Sequence, residues 1–340
     1  MGQSERRNRS HSPTLDEMSG TVLENQAFLV NRPQKERSDT LHDLTLQTMQ
    51  MRHLLVLLAG VMAVSTGAIF IKLCDLEPLT VGAYRLTLAL PLFWIAAEVT
   101  DPGWRSRIKP GQIGYLIFSG VLLGLHFATW VASLSFTSVT SSVVLVTTNP
   151  IFVGLGSVVL LKERVSVRLW TGTFIAFGGT VVVAFGSHLP VEHAPNPALG
   201  NSLALIGALC MSGYLLVGRR LSAQLPTVCY VTSVYTIAAL TLWLGVLLTN
   251  SPVSGFSSTQ WVLLFLMALV PQGVGHTLLN RSLKNLPTSV VAVGILGEPV
   301  FATLLAIPIL GEYPATMQIL GGLTVVVGVG VAVWPRRKGT

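Results

Sequence analysis

Apolar runs of about twenty residues, separated by short polar connections, repeat along most of the chain. They lie near 53–73, 78–97, 112–135, 138–161, 168–187, 199–218, 226–249, 259–280, 287–310 and 315–334. A helix needs roughly 20 residues to cross a bilayer, so each run has the length of one crossing. Barrel strands would be about half as long and would alternate in polarity. The runs "HLLVLLAGVMAVSTGAIFI" and "LGGLTVVVGVGVAVW" do not alternate. The pattern predicts an all-α integral membrane protein with ten transmembrane helices.

The distribution of Lys and Arg orients those helices, because cytoplasmic connections retain positive charge. With the N-terminus placed inside, Arg52, Arg105, Arg107, Lys109, Lys162, Arg164, Arg168, Arg219, Arg220, Arg281, Lys284, Arg336, Arg337 and Lys338 fall on inner connections. Only Lys72 falls outside, and Arg85 lies within a helix. Adding or removing one helix would scatter the later charges over both sides, so the expectation is ten spans with both termini cytoplasmic.

Two stretches match each other at a shift of 149 residues. "SLSFTSVTSSVVLVTTNPIFVGLGSVVLLKERVSVRLWTG" lies over "SLKNLPTSVVAVGILGEPVFATLLAIPILGEYPATMQILG" without a gap, pairing Pro150 with Pro299, Phe152 with Phe301, Glu163 with Glu312 and Gly172 with Gly321. A shift of 147 pairs Gly60, Ser65 and Lys72 with Gly207, Ser212 and Arg219. Each repeat holds five helices, and an odd number forces the second to enter the membrane upside down. Such inverted repeats are the architecture of secondary transporters, whose solute sites lie near the midplane between them.

Composition separates the tail from the bundle. The chain of 340 residues is 51% hydrophobic and 11% charged, with a mean hydropathy of +0.63. Soluble domains are about a quarter charged. Residues 1–50 hold six of the basic residues and seven acids, and lack the apolar content to offset the entropy of ordering. They read as a disordered polar tail, and no apolar core of a secretory signal occurs in about the first 30 residues. Cys74, Cys210 and Cys229 are too widely spaced to suggest a disulfide framework or a metal site.

The five-helix unit, the "NPIF" and "EPVF" helices, the glutamates of "LLKER" and "ILGEY" and the glycine-rich helix after them resemble the EamA domain of the drug/metabolite transporter superfamily, present twice. The resemblance covers roughly residues 53–335, with repeats at 53–187 and 199–335. It implies export or exchange of amino acids, metabolites, drugs, sugars or nucleotide conjugates, at the plasma membrane, and does not narrow that range. The repeats differ at one point of chemistry, Asn149 in the first standing where the second has Glu298.

Polar residues at membrane depth are the candidate site. Glu298 lies about 11 residues from Pro287, hence about 16 Å deep, where an ionised group facing lipid costs several kcal/mol. It must face the protein interior or a wet cavity, and Pro299 frees a backbone carbonyl near Ile295, as is tolerated beside cavities. One reading makes Glu298 a contact for solute or coupling ion and a proton carrier. The other makes it a structural glutamate beside a packing kink. Asn149 with Pro150 repeats the design without the charge, as solute contact or interhelical bond.

Helical spacing puts His126 with Trp130, and His276 with Asn280, on common faces, either lining the cavity or packed in the core. Arg85 is read as recognising an anionic group, or as paired with Asp75 or Glu77, and its neighbour Tyr84 is a weaker candidate. Glu163 and Glu312 read as structural, capping the following helices. The expected cavity is lined by the first, third, fourth, sixth, eighth and ninth apolar segments. The glycines of "TGTFIAFGG" and "LGGLTVVVGVG" allow close packing within the bundle or, alternatively, a homodimer face.

No GxxxxGK loop and no catalytic pairing at credible spacing occurs, so an enzyme is not expected. The expectation is a secondary active transporter of small metabolites, amino acid-like or drug-like, with no cofactor and no metal. Its partners are the solute and the lipid bilayer, with no nucleic acid. A passive channel or a receptor is the alternative.

Overall fold

The computed structural model describes residues 34–133, 136, 142, 145–186, 196–310, 314 and 316–333. No strand occurs among the described residues. The described residues from His53 onward form one compact unit, and those up to Arg52 fall in another. The helices in order are α1 (Gln34–Cys74), α2 (Pro78–Thr100), α3 (Pro110–Ser133), α4 (Asn149–Val159), α5 (Val167–Gly186), α6 (Pro197–Ser222), α7 (Thr227–Thr249), α8 (Ser258–Asn285), α9 (Thr288–Ile295), α10 (Glu298–Leu310) and α11 (Thr316–Val333). The first of them begins inside the stretch read as a polar tail.

Every one of the ten apolar runs carries helix. Among the described residues, seven helical spans are long and apolar enough to cross a membrane, the seventh being Thr288–Ile309, which joins α9 and α10. The other three runs hold shorter apolar helices, Asn149–Val159, Val167–Val182 and Ile319–Ala332. Leu240, Leu244, Leu247 and Leu248 on α7 stand exposed while Val234, Tyr235, Ala238 and Leu242 of the same helix are buried. An exposed apolar face of this kind is a liability in water and the right surface in hydrocarbon. The protein is an integral, multi-pass membrane protein.

Local chemistry sets the helix ends. Pro78, Pro110 and Pro197 open α2, α3 and α6, at a position where a missing N–H is harmless. α7 stops at Asn250, which takes a left-handed φ of 52°. α8 opens on a capping box in which Ser257 and Gln260 satisfy each other's backbone N–H groups. Gln260 Nε2 also donates to the Cys74 carbonyl at 3.1 Å, tying the start of α8 to the end of α1. Ser257→Ala is expected to lower stability by about 1 kcal/mol, read as a lower thermal unfolding midpoint in detergent. In the middle of α8, Ala268–His276 is π-helical around Pro271.

The glycine-rich helices α5 and α11 pack on each other. A Cβ at Gly172 would meet the Ala332 nitrogen at 2.5 Å, one at Gly179 the Val325 nitrogen at 2.6 Å, and one at Gly328 the Ala176 backbone. Those glycines are used within the chain. Among the described residues, a Cβ at Gly178 or Gly330 would meet nothing within 4 Å.

The repeats also cross each other in matching ways. Gly60 of α1 receives Leu278 of α8, and Gly207, its mate in the repeat, receives Thr129 and Trp130 of α3. In both cases a first helix of one repeat lies against the third helix of the other.

Candidate functional site

Two chain breaks face each other in the bundle and follow one plan. The helix ending at Ile295 closes with Leu296 N–H on the Val293 carbonyl and Gly297 N–H on that of Gly294, and α10 begins at Glu298. In the first repeat Thr148 N–H closes on the Leu145 carbonyl and α4 begins at Asn149. Glu298 and Asn149 are therefore the first residues of new half-helices, with Pro299 and Pro150 in the first turn. The sequence predicts one apolar segment over 287–310 with its backbone broken beside Pro299; the break falls just before that residue, at Leu296–Gly297, and leaves the proline in a first turn, where it is harmless.

A serine from the other repeat fastens each break. Ser65 Oγ on α1 donates to the Glu298 carbonyl at 3.2 Å and Ser212 Oγ on α6 to the Asn149 carbonyl at 3.1 Å. Each hydroxyl has one hydrogen and shares it with the carbonyl four residues back in its own helix, at 2.7 Å. Ser65 and Ser212 are mates in the repeat, as are Glu298 and Asn149, so one cross-repeat contact is made twice.

Between the breaks lies a cavity of about 200 Å³. Glu298, Pro299, Asn149, His126, Trp130, His276 and Arg85 line it, together with Gly67, Phe127 and Met211. All six segments expected from the sequence contribute, and the second segment joins them through Arg85. His126 Nδ1 lies 2.9 Å from the Gly207 carbonyl, and since a carbonyl only accepts, that nitrogen carries the hydrogen. Its ring stacks on Trp130 with centroids 6.0 Å apart and planes 8° from parallel.

Arg85 is 5% exposed and pairs with neither Asp75 nor Glu77, both of which are exposed. Its Nε donates to Gln272 Oε1 at 3.1 Å, and its guanidinium covers the Phe127 ring at 4.9 Å. Arg85 and Glu298 both line the cavity, yet no ion pair joins them. A guanidinium and a carboxyl group share one cavity without touching.

Three expected site residues lie elsewhere. The Tyr84 hydroxyl donates to the Val253 carbonyl at 2.7 Å, and its ring sits among Trp243, Phe256 and Trp261. Tyr84 stands about 100° around α2 from Arg85 and faces that aromatic cluster instead of the cavity. Asn280 is one turn beyond His276, donates to the Tyr235 hydroxyl at 3.3 Å and accepts from Tyr214 at 2.8 Å. That buried network covers it. Pro150 is buried and does not line the cavity.

Glu163 does not cap the helix that follows it. Its Oε2 accepts from the Thr288 N–H of α9 at 3.3 Å, and its Oε1 from Arg219 Nε of α6 at 3.0 Å. Glu312 lies outside the described residues. Sequence reading missed Gln272 and the roles of Ser65 and Ser212. The serines had a signal, their place in the weaker repeat match; Gln272, one amide in "VPQGVGH", had none beyond being polar at membrane depth.

Two interleaved repeats around a central cavity are the arrangement of a membrane transporter. The chain belongs to the EamA-like transporter family, whose model matches it twice, over residues 51–185 and 198–334. It is similar to the uncharacterized transporter YyaM of Bacillus subtilis (strain 168), 23% identical over 82% of this chain and 93% of that protein. An uncharacterized transporter of Archaeoglobus fulgidus is 26% identical over 81% of this chain and 95% of its own. A solved crystal structure shares the fold with a TM-score of 0.71 at 20% identity, over 83% of this chain and 96% of that one.

Proposed function

We propose that the protein is a secondary active transporter of small metabolites, exporting or exchanging them by alternating access. In this reading the ten apolar segments are ten crossings, both termini are cytoplasmic and the membrane is the plasma membrane. The two repeats rock about the central cavity, driven by protons or a counter-solute, with Glu298 as the coupling residue. The observation that carries the reading is the doubled fastening of Ser65 to Glu298 and Ser212 to Asn149. A site built from two related half-sites, each clamped by the other repeat, suits a cavity that opens alternately to either side.

Counterflow in proteoliposomes tests it. Labelled solute should enter vesicles loaded with the same unlabelled solute, saturably and against its own gradient. Flux that never saturates and shows no exchange would instead identify a channel.

A further inference from the structure

Buried nitrogens around the cavity are left without partners among the described residues. Arg85 Nη2, His276 Nδ1 and Trp130 Nε1 belong to cavity-lining side chains, and Gln272 Nε2 lies behind Arg85. Arg85, Gln272 and His276 are only 5%, 0% and 4% exposed, so bulk water does not satisfy them. Buried polar groups are almost always hydrogen-bonded, and an exception calls for a cause. A fixed cation with an open donor is the costliest case.

The guanidinium is held in place without being neutralised. Gln272 Oε1 occupies its Nε and Phe127 covers a face. Gly67 lies beside Nη1, and a Cβ there would stand in van der Waals contact with that nitrogen, at 3.7 Å. The assignment of the Gln272 amide follows from chemistry, because Arg85 Nε only donates and must face an oxygen. What remains is one edge of a planar fork, of the shape that matches a carboxylate. Val64, Ile71, Met211, Leu279 and Ile295 give the cavity an apolar lining.

We propose that the cavity binds a solute through its carboxylate, seated on the free edge of Arg85, with Gln272 as the residue that positions the guanidinium. This deepens the transport reading and rests on it. A volume of about 200 Å³ is somewhat larger than the roughly 150 Å³ cavity that holds benzene, so the carboxylate is carried on a compact apolar body. Glu298 on the same cavity repels a second anion, which selects monocarboxylates and zwitterions over dicarboxylates. Organic cations are disfavoured at the Arg85 edge by like charge.

The test uses purified wild-type protein and matched solutes of graded body size, from acetate-sized to slightly larger than benzene, each as carboxylate, amide and amine. The carboxylate of at least one body should bind at least tenfold more tightly than its amide and amine, by thermal stabilisation or calorimetry. An amide or amine that binds as tightly as its matched carboxylate, or a panel in which no carboxylate binds, overturns the proposal. In Gln272→Leu the preference for carboxylate over amide should fall severalfold; a folded variant with an unchanged preference removes Gln272 from the positioning role. Arg85→Lys keeps the charge and loses the fork, and should lose most of the preference. Counterflow with the same solutes separates the two readings. Exchange without carboxylate preference sinks the subsite alone, and carboxylate binding without exchange sinks the transport reading alone.

Discussion

Proteoliposomes carrying Glu298→Gln are expected to lose accumulation driven by a pH gradient while retaining solute exchange. Glutamine has nearly the shape of glutamate, so the cavity keeps its volume. The break in the chain also survives, because it rests on Gly297, Pro299 and the hydrogen bond from Ser65 to the backbone carbonyl of residue 298, none of which involves the side chain. What disappears is the carboxyl group lining the cavity, the group to which this reading gives uptake of a proton on one side and its release on the other. With one proton per solute, a gradient of one pH unit corresponds to about 1.4 kcal/mol, or about tenfold in solute ratio. That ratio should fall to one in the variant. A variant that still accumulates solute with the wild-type dependence on pH would remove Glu298 from the coupling step.

The helices and their repeat were legible because each depends on pattern alone. An apolar run of twenty residues has few alternatives in a bilayer, and Gly60 and Gly207 mark matching crossings because a Cβ at either would crowd the opposing helix, at 3.1 Å from Leu278 and 3.2 Å from Thr129. The site was legible only where depth implies burial, as for Glu298, Asn149, His126 and Arg85. Partners were not. Arg85 finds Gln272 across 187 positions of sequence, and nearby Asp75 and Glu77 looked equally suited. The face of a helix was also misjudged where a neighbour intervenes: Asn280 shares a side with His276, but Tyr214 and Tyr235 cover it. Nor does a proline mark where a helix breaks, since Pro299 follows its break and sits inside the next first turn.

Glu163→Gln is expected to shift the balance between the two openings of the cavity. Glu163 joins three elements at one end of the bundle: it follows α4, accepts from Arg219 at the end of α6 and accepts from the first N–H of α9. Arg219 extends the tie to α8 through the Leu283 carbonyl, so both repeats are fastened there. Rocking the repeats open at that end has to break this cluster, whereas opening the other end leaves it intact. The side chains of the pair are 29% and 18% exposed, between exposed pairs, at about 0–1 kcal/mol, and buried ones, at about 3–5 kcal/mol. A loss of about 1.4 kcal/mol moves the equilibrium about tenfold. The readout is maleimide labelling of Met211→Cys, a cavity position on α6, with the native cysteines replaced by serine. Labelling from the Glu163 end should accelerate by about that factor, and labelling from the other end should slow. Arg219→Lys, which keeps the charge but loses the Nε contact, should give a smaller shift in the same direction. If Glu163→Gln lowers thermal stability while the ratio of the two labelling rates stays at the wild-type value, the pair fastens the fold without gating it.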